Sequence, residues 1–196
     1  MGGTVVAFGH TEPMGARTAA ERETALGVIR ESPSDAGTVE LIVRRPAVDK
    51  REVIEEGRLD TSVGLVGDTW EIRGSNATED GAAHPDAQVT LMNASCIAVL
   101  AGDRERWSLA GDQLYVDLDL SVSNLPAGTR LGMGSAVLEV TNKPHTGCAK
   151  FSERFGAEAL RFVMSPTGKD LRLRGVNTKV VVTGVVRRGD VITRLD

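Results

Sequence analysis

Four absences frame this chain of 196 residues. No apolar stretch approaches the roughly 20 residues that a membrane-spanning helix needs. The opening segment, from Met1 to His10, has no charged leader and too short an apolar run for a signal peptide; Val6 also breaks the myristoylation pattern. There is no excess of basic charge, and a formal net charge of −4 argues against a general nucleic-acid binder. Cysteine is scarce: Cys96 and Cys148 are the only two, and alone they decide little about redox compartment. A reducing cytoplasm is the simplest expectation, and there a thiol stays available for chemistry.

What is present reads as one globular domain with its own core, since 41% of residues are hydrophobic and 26% charged. The charge is uneven. Between Lys143 and Arg194 there are eleven Lys and Arg against four Asp and Glu, a local net of +7 that leaves −11 elsewhere. A basic segment in an acidic chain can attract an anionic ligand or partner, or can simply be a solvated face.

Residues 16–30 carry a helical pattern, closed by the turn-rich run Ser32-Pro-Ser-Asp-Ala-Gly37. Residues 38–45 read as a strand stopped by Pro46. Residues 74–86 read as a polar loop, residues 89–92 as a brief strand, and Asn93 as the N-cap of a helix over 94–101. Beyond that point β signals dominate: residues 114–120 alternate apolar and polar, 136–140 form another strand, and 180–183 and 191–193 close the chain. Helical pieces are expected at 148–155 and 157–164. Many short strands between glycine turns predict a mostly β, α+β fold, with a barrel or sandwich flanked by a few helices. The expected organisation is an N-terminal extension and helix over 1–37, packed on a domain over 38–196.

Several motifs fail. Gly132-Met-Gly134 has Val137 where a dinucleotide fingerprint needs its third glycine, and it leads into a strand. Phosphate-loop and serine-hydrolase elbow patterns are absent. His145 and Cys148 have zinc-like spacing, but His10, His84 and Cys96 are the other His and Cys donors, and none is paired at short spacing. Trp70 and Trp107 read as packing residues. Arg44 and Arg45 end a strand on opposite faces.

The stretch that carries chemistry is Lys143-Pro-His-Thr-Gly-Cys-Ala-Lys150. Cys148 stands where a loop turns into a helix, a place that favours an anion. Lys143, His145 and Lys150 can add positive potential, and together these features favour the thiolate. That species attacks sulfur, carries a persulfide or ligates a soft metal. Gly147 lets the backbone approach a ligand, and Pro144 stiffens the loop. Cys96, inside Ala94-Ser-Cys-Ile-Ala-Val-Leu100, reads as core filler by contrast.

The order of these segments resembles the molybdenum-cofactor sulfurase C-terminal (MOSC) family, in its small stand-alone bacterial form. Gly64-Leu-Val-Gly-Asp68 is similar to the family's Gly-Leu-x-Gly-Asp segment. Gln88-Val-Thr-Leu-Met92 with the following helix, and residues 125–134 with 136–140, resemble its next blocks, and Cys148 falls at its defining cysteine. Arg174-Gly175 and Gly189-Asp190-Val-Ile192 match its last elements. The resemblance spans residues 38–194. Asp68 is followed by Thr69-Trp70 where the family often has Arg-His, and Gly111-Asp-Gln-Leu114 stands where it often has Gly-Glu-Asn-Leu.

The resemblance implies a β-barrel-like fold with Cys148 as catalytic residue, either carrying sulfur as a persulfide or ligating molybdenum in a bound molybdenum cofactor. A pyridoxal-phosphate cysteine desulfurase or a molybdoenzyme is the implied partner. Lys143, His145, Gly147, Lys150, Asp68 and Arg174 are the expected substrate- or cofactor-binding residues. The alternatives are a molybdenum-dependent reductase of N-hydroxylated compounds and a non-catalytic binding module. No nucleic acid and no membrane is expected.

Overall fold

A computed structural model describes residues 18–75 and 77–195. The expected loose segment over 1–15 lies outside the described residues. The first helix, α1, runs Ala19–Arg30. Thr18 starts it with a reciprocal capping box: its hydroxyl accepts from the Glu21 amide, and the Glu21 carboxylate accepts from the Thr18 amide at 2.6 Å.

Among the described residues, eleven strands follow the expected β-rich pattern. β1 is Ala36–Arg44, β2 Glu52–Ile54, β3 Glu56–Asp60, β4 Gly64–Leu65, β5 Val89–Asn93 and β6 Leu114–Asp117. β7 is Arg130–Met133, β8 Ala136–Val140, β9 Val176–Val182, β10 Gly184–Arg187 and β11 Val191–Leu195. Seven of them close a barrel in the order β1-β11-β7-β8-β9-β5-β6 and back to β1. A short helix, α2 (Trp70–Arg73), follows β4. Among the described residues only β5 and β6 pair in parallel, because α3 (Ala94–Ala101) and a following 3₁₀ segment, Arg104–Ala110, carry the chain between them. β2 extends β1 beyond the barrel, and β10, β3 and β4 form a separate three-stranded sheet.

Strand alternation sorts the apolar residues into two cores. Leu91, Leu114, Val116, Leu131, Leu138 and Ile192 belong to the barrel cluster. Met92 and Tyr115 point the other way, into a second cluster with α1, α3 and two later helices, α4 (Ala149–Phe155) and α5 (Ala157–Met164). A bulge in β1 between Val39 and Leu41 shifts its register, so Val39 and Ile42 join the barrel while Leu41 and Val43 face the helices. Tyr115 is fully buried, and its hydroxyl donates to the Trp107 carbonyl at 2.7 Å.

A short helix, α6 (Pro166–Asp170), was not expected from its Pro-Thr-Gly composition. Local capping explains it: Pro166 stands at the first helical position, and the Ser165 hydroxyl accepts from the Gly168 amide at 3.0 Å. Among the described residues, no helix is long and apolar enough to cross a membrane.

Candidate thiol site and the cavity beside it

The chemistry-bearing loop connects β8 to α4. Its first part is pinned. The Thr141 hydroxyl donates to the Asp86 carbonyl at 2.7 Å, and the Asn177 side-chain amide donates to the Lys143 carbonyl at 3.1 Å. Its last part leans on α5. The Gly147 amide donates to the Met164 sulfur at 3.3 Å, and a Cβ at Gly147 would stand 2.1 Å from Leu160 Cδ1. Any larger residue there would force the Leu160 side chain to move.

Cys148 is exposed and occupies the N-cap position of α4, with no capping hydrogen bond from its side chain. Cys96 is its opposite. It is sealed in the helical core, donates to the Leu173 carbonyl, and burial pushes its thiol pKa far up.

The helix behind Cys148 is held from several sides. Lys150 and Arg154 both reach Asp49, in the β1–β2 loop, at 2.8 and 3.2 Å. Arg154 also donates to the Leu109 carbonyl at 2.9 Å, and the Arg174 guanidinium lies 4.9 Å from the Phe151 ring centroid. This side of the molecule is rich in guanidinium groups. Burial, then Arg154 and Arg45, draw the Arg51 pKa down; burial, then Arg45, do the same to Arg73. The Arg51 Nε atom is buried without a hydrogen-bond partner.

Beneath the loop sits a buried ionic pair. Arg174 donates to Asp112 Oδ2 at 2.7 Å and to the Ala110 carbonyl at 3.1 Å, and the Asp112 side chain is wholly buried. His145 lies beside it, with Nδ1 3.5 Å from Asp112 Oδ1. The imidazole is not a source of positive potential, contrary to the sequence expectation. Burial, reinforced by Arg174 and opposed by Asp112, pushes its pKa down to about 3, so it is neutral at physiological pH. Gly175, at φ 106°, makes room for it: a Cβ there would lie 3.1 Å from His145 Nδ1 and 2.3 Å from the Leu91 carbonyl oxygen.

Lys143, His145 and Arg174 converge on one cavity of about 350 Å³, together with Met164, Lys169 and Arg172. Cys148 is not among its lining residues; the lining on this loop ends at Thr146. The sequence placed thiol and cations in one hollow, whereas the loop has the cavity against it and the thiol exposed beyond it. Lys150 is engaged with Asp49 rather than with the cavity.

Asp68 is elsewhere. It accepts from the Arg45 amide at 3.0 Å, from the Arg45 guanidinium at 2.8 Å through both oxygens, and from the Trp70 amide at 2.9 Å. Arg45 in turn donates to the Gly111 carbonyl, next to Asp112. Asp68 thus holds a strand end in place and is not among the residues that line the cavity.

Asp112, Arg172 and Lys169 were missed as site residues. For Asp112 a signal existed: a carboxylate inside Leu109-Ala-Gly-Asp-Gln-Leu114 enters a buried strand and so needs a cationic partner. Among the described residues, no group of three or more His, Cys, Asp or Glu is arranged to hold a metal ion.

A closed seven-stranded barrel with flanking helices defines the fold class. The chain belongs to the MOSC family, whose domain profile matches residues 74–193. Among solved structures, it is similar to the YuaD protein from Bacillus subtilis, at 17% identity and a TM-score of 0.59, over 80% of this chain and 94% of that one. It is also similar to YiiM from Escherichia coli, at 21% identity and a TM-score of 0.53, over 81% of this chain and 70% of that one. At these identities the likeness concerns the fold. No curated protein matches the chain.

Proposed function

We propose that this MOSC protein is a sulfur carrier whose working atom is the Cys148 sulfur. The observation that carries the reading is the contrast between its two thiols: Cys148 is exposed and Cys96 is sealed. Sulfane-sulfur exchange requires a thiolate that a partner's persulfide can reach. In the loading step, the Cys148 thiolate attacks the outer sulfur of a donor persulfide. A new S–S bond forms, the donor's S–S bond breaks, and the donor leaves as a thiolate. The transferred sulfur keeps its proton, and no external oxidant is needed. In the unloading step, an acceptor nucleophile takes that sulfur and Cys148 leaves as a thiolate.

A pyridoxal-phosphate cysteine desulfurase is the donor that this chemistry calls for. Lys150 and Arg154, gathered on Asp49 beside the thiol, give a docking donor a charged surface of mixed sign. The test is intact-mass analysis after incubation with cysteine and such a desulfurase. One added sulfur atom on the wild type and none on Cys148→Ser is the expected result; no added sulfur on the wild type refutes the carrier role.

A second reading is favoured by the partnerless, buried Nε of Arg51. An anionic molybdenum cofactor would suit such a region: Cys148 would supply one soft ligand, and Arg51 and Arg73 would supply cations for a phosphate group. When bound, that cofactor would supply two-electron reduction of an N-hydroxylated substrate. Molybdenum and pterin analysis of protein from a cofactor-producing host distinguishes the two readings.

A further inference from the structure

The cavity between the thiol loop and α6 has a feature that the thiol chemistry does not use. Its lining includes Lys143, Lys169, Arg172 and Arg174 and contains no Asp or Glu. Arg174 is matched by Asp112. Among the described residues, Lys143, Lys169 and Arg172 have no carboxylate partner. The contrast with the broader hollow near residues 123–130 is direct, because there Arg130 pairs with Glu139.

Arg172 is the most telling of the three. It follows Leu171, the C-cap of α6, at φ 48°, a left-handed position where glycine is the usual choice. An arginine there is held against its backbone preference. Its guanidinium is half-buried and donates to the Leu125 carbonyl through Nη1. Burial alone accounts for the lowering of its pKa, with no opposing carboxylate. Arg174 adds a buried Nε atom without a hydrogen-bond partner. The rest of the lining is mixed: Val122, Val163 and Val176 give it an apolar face, and Thr141, Asn142 and Thr146 add neutral polar groups.

We propose that this cavity binds a small organic phosphate monoester, at a site separate from the Cys148 sulfur. Three unmatched cations suit a dianion, and a guanidinium pairs with phosphate oxygens through two parallel hydrogen bonds. The face made by Val122, Val163 and Val176 receives the organic body of the ester. A volume of about 350 Å³ is at the small end of ligand sites and fits a body of one ring. Met164 lines the cavity and holds the Gly147 amide, so occupancy bears directly on the loop that ends in Cys148.

The test is ¹H–¹⁵N NMR titration of the full chain with phenyl phosphate, with inorganic phosphate and neutral benzyl alcohol as parallel probes. Phenyl phosphate is expected to move the Thr146, Gly147 and Gly175 amides and to bind more tightly than either parallel probe. The Lys169→Gln/Arg172→Gly variant should weaken it by about tenfold or more. Glycine suits the left-handed position, so this variant keeps the fold. Cys148→Ser should bind as the wild type does, which separates this site from the sulfur-carrier reading. Absence of binding, equal binding of inorganic phosphate, unchanged affinity in the double variant, or loss in Cys148→Ser would each overturn the proposal.

Discussion

His145 Nδ1 faces Asp112 Oδ1 at 3.5 Å, and neither atom has a hydrogen-bond partner, while the other Asp112 oxygen accepts from Arg174 at 2.7 Å. The imidazole therefore sits beside an ion pair that is already neutral. Protonation would add a buried third charge.

The first prediction concerns that proton. The His145 pKa is pushed down to about 3, against an unfolded value of about 6.5. The unfolded chain thus binds the proton more readily. His145 contributes stability that is complete above the unfolded pKa and is lost as pH falls from about 6.5 towards 3. The scale is at most a few kcal/mol, because the side chain is 14% exposed and relaxation offsets part of the penalty. In NMR, the ring should stay neutral from roughly pH 8 to pH 5. Urea unfolding of His145→Gln should lose part of the acid sensitivity. A ring that titrates near its free value removes the argument.

The barrel, its β-rich order and the contrast between the two cysteines were legible in the sequence. Strand alternation such as Leu114-Tyr-Val reports which side each residue faces, and the apolar flanks of Cys96 differ from the polar flanks of Cys148. The protonation state of His145 was not legible. It depends on Asp112 and Gly175, which approach from about thirty residues away on either side. The separation of thiol and cavity was hidden for the same reason. Lys150 lies two residues past Cys148 in sequence, yet Asp49 on a distant loop decides where it points. The α6 helix was hidden by its composition and is rescued by Ser165 and Pro166.

The Arg45–Asp68 pair supports a second prediction. The Asp68 side chain is wholly buried and accepts four hydrogen bonds, three from Arg45 and one from the Trp70 amide. Asp68→Ala leaves a buried guanidinium without its counterion and should destabilise the fold by about 3–5 kcal/mol. Chemical denaturation measures this directly. A loss below about 1 kcal/mol would show the pair to be no stronger than a surface salt bridge.

Thiol accessibility gives a third. Under native conditions, an alkylating reagent should modify one thiol per chain, at Cys148. Cys96 should react only after unfolding, since it is sealed and its thiol pKa is raised by burial. Peptide mapping after a timed pulse of reagent identifies the modified residue. Rapid native labelling of Cys96 would contradict the packing described for α3.

The fourth prediction tests whether α5 sets the thiol loop. A methyl group at position 147 would collide with Leu160 Cδ1 at 2.1 Å and also approach Met164 Cγ at 3.7 Å. The Gly147 amide donates to Met164 Sδ, so the loop cannot back away without losing that contact. Gly147→Ala should therefore cost about 1–3 kcal/mol, the usual range for overpacking, and alter the alkylation rate of Cys148. The collision involves the end of a side chain, so shortening that side chain removes it. Leu160→Ala leaves a cavity and is destabilising alone. Combined with Gly147→Ala it should lose less stability than the two single losses added together, and it should restore the Cys148 rate. Additive losses in the double-mutant cycle would mean that Leu160 does not press on the loop, and that the thiol is positioned by β8 and Asn177 instead.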